Sequence, residues 1–210
     1  MKYALINANL LDGTKNMKLT PNSTMLVDDG IITKIGTDVD TTGYEVIDLN
    51  GKYLLPGMIN LHVHLPGSGY PSKKQKDNRP LVKFCKSNFI GHKVGEILTS
   101  TYAKVQLLSG TTTVRAVGGV GWFDSLVRDK INAGKLLGAR IVSCNEAITV
   151  KGGHMEGTVS YGAKDEADMV RHIEEQVKQG ADWVKIMITG GVLDAKKKAN
   201  QVKWKWLLSK

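Results

Sequence analysis

The sequence predicts an α/β fold, a small β domain followed by a run of parallel βα units. Three observations predict it. Residues 1–56 contain several short strand-like runs separated by turn dipeptides. Residues 58–65 read as a buried strand that ends in a His-x-His pair. From residue 94 onward, helical and strand patterns alternate, with glycine at the junctions. Strand–helix–strand repetition with short turns gives right-handed βαβ units and a parallel sheet.

The first 56 residues supply strand-like runs at 3–10, 23–27, 31–35 and 45–48. Asp12-Gly13, Asp29-Gly30 and Asn50-Gly51 are turn signals between them. Asp29-Gly30 lies between two apolar runs and is the strongest hairpin signal.

The stretch 54–65 then enters through a Pro56-Gly57 turn. Side chains on a strand alternate faces. Met58, Asn60, His62 and His64 are therefore expected on one face, and Ile59, Leu61, Val63 and Leu65 on the other, beneath helices. Two imidazoles two residues apart stand roughly 7 Å apart along a strand. That spacing lets both rings converge on one metal ion. A bare His-x-His is equally compatible with surface or core histidines. Its position at the carboxyl end of a strand, where parallel α/β folds place their chemistry, favours the metal reading.

A polar segment follows, from residue 66 to about 91, with Tyr70 inside it. It reads either as a lid or binding loop or as a connector with one short helix. Val94, Ile97, Leu98, Val105 and Leu108 then mark a helical face closed by Gly110. Residues 111–117 are strand-like. Phe123, Leu126, Val127 and Ile131 mark a second helix ended by Gly134, and 139–143 a third strand. Residues 151–154 form a glycine-rich loop carrying His154. Asp165 caps a helix with Val170, Ile173 and Val177 as its expected inner face and Gly180 after it.

Residues 182–189 read as the fourth strand. Val184, Ile186 and Ile188 are expected toward helices; Trp183, Lys185, Met187 and Thr189 face the other way. An inward lysine is costly unless paired or neutral. It either snorkels or pairs with Asp182 or Asp194, or it belongs to the same site as His62 and His64.

Composition excludes several classes. The net charge of +9 invites a nucleic-acid reading, yet six lysines (196, 197, 198, 203, 205 and 210) lie in the last 16 residues, and the remainder carries only +3. Trp204 and Trp206 among those lysines leave a weak case for an anionic membrane surface or a single strand. The expectation is nevertheless no nucleic-acid and no membrane partner. No run of about 18 apolar residues is present. The start, interrupted by Asn7, Asn9 and Asp12, is too polar for a secretory segment. Cys85 and Cys144 lie in no metal or redox spacing and fit plain buried thiols in a reducing cytoplasm.

Four segments carry a family resemblance: 54–65 (LLPGMINLHVHL), 110–119 (GTTTVRAVGG), 152–157 (GGHMEG) and 180–192 (GADWVKIMITGGV). They resemble the amidohydrolase superfamily in its imidazolonepropionase-like branch, which also holds dipeptidases acting on Xaa-Pro or Xaa-Arg. One departure is Ala116, where many relatives carry an acid. The resemblance implies the N-terminal half of a metal-dependent hydrolase (β/α)8 TIM barrel, about four βα units, preceded by a small β-sandwich-like domain. It divides the chain into the β domain at 1–56, the barrel units at 57–195 and a basic tail at 196–210.

The same resemblance implies site roles. His62 and His64 would ligate the more buried metal, and Lys185, carbamylated by carbon dioxide, would bridge two. One or two divalent ions are implied; zinc suits this donor set, as do manganese and iron. A metal-activated water would attack a cyclic amide or a dipeptide amide. His154 would contact substrate or the developing oxyanion, or else simply stabilise its glycine loop. Arg115 would pair with a substrate carboxylate or take part in an internal ion pair. Tyr70 would contact substrate from the lid.

The family site also uses a histidine after the fifth strand, one after the sixth and a general-base aspartate after the eighth. The chain runs about 20 residues past its fourth strand, whereas a full barrel takes about 250 residues. The resemblance holds to Lys196 and then gives way to the basic segment. The expectation is a reading-frame shift or a truncated gene, and a truncated amidohydrolase of reduced or absent activity. The alternative is a non-catalytic remnant that binds metal weakly or not at all. Open parallel edges are liabilities, so homo-oligomers or aggregation of half-barrels is expected.

Overall fold

The computed structural model describes residues 1–67 and 77–188. Tyr70, Thr189, Asp194 and the tail at 196–210 lie outside the described residues. The chain divides into two compact units, Met1–Gly57 and Met58–Lys210.

In the first unit β1 (Lys2–Leu11) is the central strand. β2 (Leu19–Asp28) pairs with it antiparallel, and β3 (Ile31–Gly36) extends the sheet from β2. β4 (Glu45–Asp48) and β5 (Tyr53–Leu54) both run parallel to β1, at its two ends. The described residues thus form one five-stranded sheet. Ala4, Ala8, Met25 and Leu26 make its buried face. Asp29-Gly30 closes the β2–β3 hairpin with φ of 46° and 81°. Two successive positive φ values are what a type I′ turn requires, and Asp-Gly meets that need with little strain.

In the second unit β6 (Met58–Val63), β7 (Thr111–Ala116) and β8 (Arg140–Val142) form a parallel sheet in chain order. The connector ahead of the first long helix contains a short one, α1 (Arg79–Ser87), and α2 (Phe89–Leu108) begins five residues before Val94. α3 (Phe123–Asn132) and α4 (Glu166–Lys178) follow. Val63, Leu65, Ala103, Val114, Ala116, Val127, Ala139 and Ile141 form the core between sheet and helices. Ala116, where relatives carry an acid, is fully buried in it.

The strict alternation expected along β6 is broken. Its pairing with β7 shifts register between Met58 and Ile59, and again between Asn60 and Val63. The extra residue lies on β7, at Thr112, in the first shift and on β6 in the second. Val63 and Leu65 reach the core as expected, but Ile59 and Leu61 are 65% and 56% exposed.

A second departure follows β8. β9 (Ala147–Val150) and β10 (Ser160–Ala163) pair parallel around the glycine-rich loop. The fourth strand exists as a paired segment rather than a regular one. Asp182 N donates to Ser143 O, Ile148 N to Lys185 O, and Met187 N to Ile148 O. Segment 182–187 therefore runs parallel beside 143–148. Val184 packs on Ile148 and Val150, while Ile186 and Ile188 remain exposed, contrary to the expected helix-covered face.

Asp165 caps α4, its Oδ1 accepting from Asp168 N at 2.8 Å. The helix face differs from expectation. Val170 and Val177 are exposed, whereas His172 and Gln176 are buried and Met169 and Ile173 pack on the β9–β10 cluster. Gln176 Oε1 accepts from Glu146 N, and His172 stacks on Tyr161 at 4.1 Å, so polar partners draw that face inward. Replacing a hydrogen-bonding N-cap by alanine costs about 1 kcal/mol. Asp165→Ala is expected to lower unfolding free energy by that amount in urea titration, with an unchanged slope.

Candidate metal centre

His62 and His64 leave the carboxyl end of β6. Their rings stand edge-to-face with centroids 5.6 Å apart. His62 is exposed, and its backbone N–H donates to Asn60 Oδ1. His64 is half-buried, and its Nδ1 lies 2.8 Å from the carbonyl oxygen of Gly118. A carbonyl only accepts, so Nδ1 carries the proton and Nε2 keeps its lone pair. Metal-ligating histidines characteristically donate their other ring N–H to a backbone carbonyl or carboxylate in this manner.

Burial holds the His64 pKa below the usual imidazole value. The positive charges that His62, His154 and Lys185 bring near it act in the same direction, against the Gly118 hydrogen bond. Its neutral form, the form that binds metals, is thereby favoured. The same relation shows that His62, His154 and Lys185 all lie within electrostatic reach of His64.

Lys185 is half-buried on the paired segment 182–187. Asp182 does not pair with it. That carboxylate instead binds Arg128 at 2.9 Å and accepts from Ser143 N at 2.7 Å, fixing the start of the segment. His154 sits in the loop between β9 and β10, where its carbonyl oxygen accepts from Ser160 Oγ. Both readings of His154 thus retain a physical basis. Among the described residues Arg115 forms no internal ion pair. Its Nε donates to Leu61 O at 2.9 Å, and its guanidinium lies 5.1 Å from the Trp183 ring centroid. Tyr70 lies outside the described residues.

Among the described residues no cluster of three His, Cys, Asp or Glu side chains is placed to hold a metal. The donor set that fits one is two imidazoles with Lys185, whose carbamate would supply anionic oxygens. The fixed Nδ1–H tautomer of His64 and the proximity of Lys185 are the features that accommodate such an ion.

The turn after β7 shapes this site and is not apparent as a functional element in the sequence. Gly118 has φ +146°, and a Cβ there would meet Val159 O at 2.9 Å and the His64 ring at 3.3 Å. Only glycine allows the carbonyl to reach His64. Gly119 N donates to Asn145 O at 2.6 Å. Beneath it lies Asp124, fully buried, with neither oxygen accepting a hydrogen bond among the described residues. Burial pushes its pKa up to about 7. The neighbouring Cys144 thiol is pushed up to about 12, chiefly by burial and further by Asp124.

Residues 53–202, from the last strand of the first unit into the second and past Lys196, match the Amidohydrolase family. The chain belongs to the amidohydrolase family. It is 44% identical over 50 residues to a dihydroorotase of Carboxydothermus hydrogenoformans, a match covering 24% of this chain and 12% of that protein. A solved Xaa-Pro dipeptidase with bound methionine is similar at 31% identity and a TM-score of 0.72, covering 92% of this chain and 48% of the other. A putative prolidase from Bifidobacterium longum is similar at 26% identity and a TM-score of 0.69, covering 90% and 41%. The chain thus spans about half the length of these solved amidohydrolases. An α/β chain matching such structures over half their length has the fold of a partial barrel with a β-rich N-terminal part.

Asp124 provides a pH test of the site's foundation. Below about pH 4 its carboxyl is neutral folded and unfolded. Between there and about 7 the unfolded chain ionises while the fold does not. Stability therefore falls as pH rises and levels off above the folded value, a loss of roughly 4 kcal/mol for three pKa units. Asp124→Asn is expected to remove this component, so the unfolding midpoint of the variant declines less from pH 4 to 7. Parallel profiles would contradict the assignment.

Proposed function

We propose that the chain carries the His62–His64–Lys185 part of the metal centre of a hydrolase acting on carbon–nitrogen bonds in cyclic amides or dipeptides. The observation that carries this reading is the tautomer of His64, locked by Gly118 with its Nε2 available and Lys185 nearby. Membership of the amidohydrolase family and similarity to dihydroorotase and Xaa-Pro dipeptidase support it.

His62 and His64 bind the ion, for which zinc is the proposal, one or two per chain. Lys185, neutral when it reacts, takes up carbon dioxide and presents carboxylate-like oxygens to the same place. The ion supplies a lowered pKa for bound water and polarisation of the amide carbonyl. Half-buried His154 faces the substrate side within reach of His64. Arg115, its guanidinium over the Trp183 ring, forms a cationic wall for an anionic substrate group. Tyr70 is proposed to contact the substrate from the segment after β6. The general-base aspartate of the family is assigned to no residue here.

No described helix is long and apolar enough to cross a membrane. Cys85 and Cys144 are buried free thiols, in keeping with the cytoplasmic location we propose. Ile59, Leu61, Ile186 and Ile188, exposed on the sheet strands, support self-association of this chain.

Equilibrium dialysis against zinc, paired with 13C NMR in labelled bicarbonate, tests the reading. The expected result is bound zinc and a carbamate resonance. His64→Ala should weaken zinc at least about tenfold, and Lys185→Ala should abolish the carbamate signal. Hydrolysis of an Xaa-Pro dipeptide or dihydroorotate by the zinc-supplemented chain is expected to be weak or absent, and any turnover should be lost in Lys185→Ala. Absence of both zinc and carbamate would favour the non-catalytic remnant.

A further inference from the structure

We propose that Asp124 is a positioning residue for the histidine pair, acting through Gly119 and Gly118; its relevance to metal rests on the reading above. Three contacts connect it to the site. A Cβ built on Gly119 would stand 2.3 Å from Asp124 Oδ2, and its three nearest neighbours would all be Asp124 atoms. Gly119 backbone thus lies directly against the carboxyl group. Gly119 is joined by one peptide bond to Gly118, whose carbonyl holds His64 Nδ1 at 2.8 Å. The opposite side of the turn is tied by Gly119 N donating to Asn145 O.

Asp124 and Asn145 work as a pair around this turn. Asn145 Oδ1 accepts from Ser125 N, the residue after Asp124, and from Ser143 Oγ. That fixes the amide orientation and leaves Nδ2, fully buried, without a protein acceptor among the described residues. Three buried polar atoms, Asp124 Oδ1 and Oδ2 and Asn145 Nδ2, have no partner among the described residues, and both residues touch Gly119, one through its carboxyl and one through its backbone carbonyl. Buried polar groups are costly without partners and persist where the surrounding structure gains from them. A hydrophobic residue at 124 would fill the space at lower cost. What it would not provide is a planar, polar group of this shape under the turn. The carboxyl sets the height of the Gly118–Gly119 turn, and the turn sets the ring angle and tautomer of His64.

The test uses the full chain with 15N-labelled histidine. The ring-nitrogen shifts of His64 report its tautomer, and zinc dialysis runs in parallel. Gly119→Ala adds a methyl whose three nearest neighbours are all carboxyl atoms of Asp124. It should move the His64 shifts away from the pure Nδ1–H pattern and, by analogy with outer-shell partners, weaken zinc by about 10–100-fold. Adding Asp124→Ala should make room for the methyl and return the shifts toward wild type. Asp124→Asn, of the same shape, should leave them unchanged. If Asp124→Ala does not fold, Gly119→Ala alone decides. Wild-type His64 shifts in a folded Gly119→Ala would overturn the proposal, as would a double variant that fails to recover. Normal zinc binding with unmoved shifts would leave the metal reading standing without this one. Moved shifts in a chain that binds no zinc would do the reverse.

Discussion

The contact from His64 Nδ1 to the Gly118 carbonyl is the interaction on which the rest of the site depends. It joins the end of β6 to the turn after β7, the two points where neighbouring parallel strands release their chains. A histidine at a strand end has a free ring and two tautomers. This bond removes one tautomer and most of the rotation. It also explains why the turn is Gly-Gly: the first glycine lets a carbonyl approach the ring, and the second lies flat on Asp124. Loss of either would leave His62 and His64 two residues apart on a strand with no shared direction.

The parallel sheet places that bond, but the sheet is not regular. Ile59 and Leu61 in the first part of β6 are exposed, while Val63 and Leu65 lie in the core. The core therefore anchors the strand at its carboxyl end, next to the histidines. Segment 182–187 is held in a comparable manner. Arg128 and Ser143 grip Asp182 at its start, and Ile148 bonds to Lys185 and Met187 further on. Lys185 is thus fixed by its backbone, and its half-buried side chain lies within electrostatic range of His64. Strand ends are secured by polar clamps, and the apolar contacts between them do the rest.

Much of this was legible in the sequence, for physical reasons that differ by element. Asp29-Gly30 reads as a hairpin because few other residues accept two positive φ angles. Asp165 reads as a cap because a carboxylate before an amphipathic run satisfies exposed N–H groups. Gly110, Gly134 and Gly180 each follow a helix with positive φ. The proposed grouping of the histidine pair with Lys185 rests on strand periodicity, which sets the end each would occupy. Other features had no local signal. Register slips come from cross-strand pairing and erase parity arguments. The inner face of α4 is drawn in by Glu146 and Tyr161, far away in sequence, so two valines lost to a histidine and a glutamine. Arg115 reads from the sequence as a partner for either a substrate carboxylate or an internal acid; its described neighbours are a carbonyl and an indole, so the internal pair is absent among the described residues. Asp124, in the first turn of α3, looks like an ordinary acid favouring a helix N-terminus, and only tertiary packing buries it.

The central claim is that His62, His64 and Lys185 form one metal-binding set. X-ray absorption at the zinc edge of the zinc-loaded chain tests it most directly. The account predicts scattering from two imidazoles, oxygen in the remaining near positions and no sulfur, with one imidazole lost in His64→Ala. A spectrum with sulfur neighbours, or one that is unchanged by His64→Ala, would contradict it.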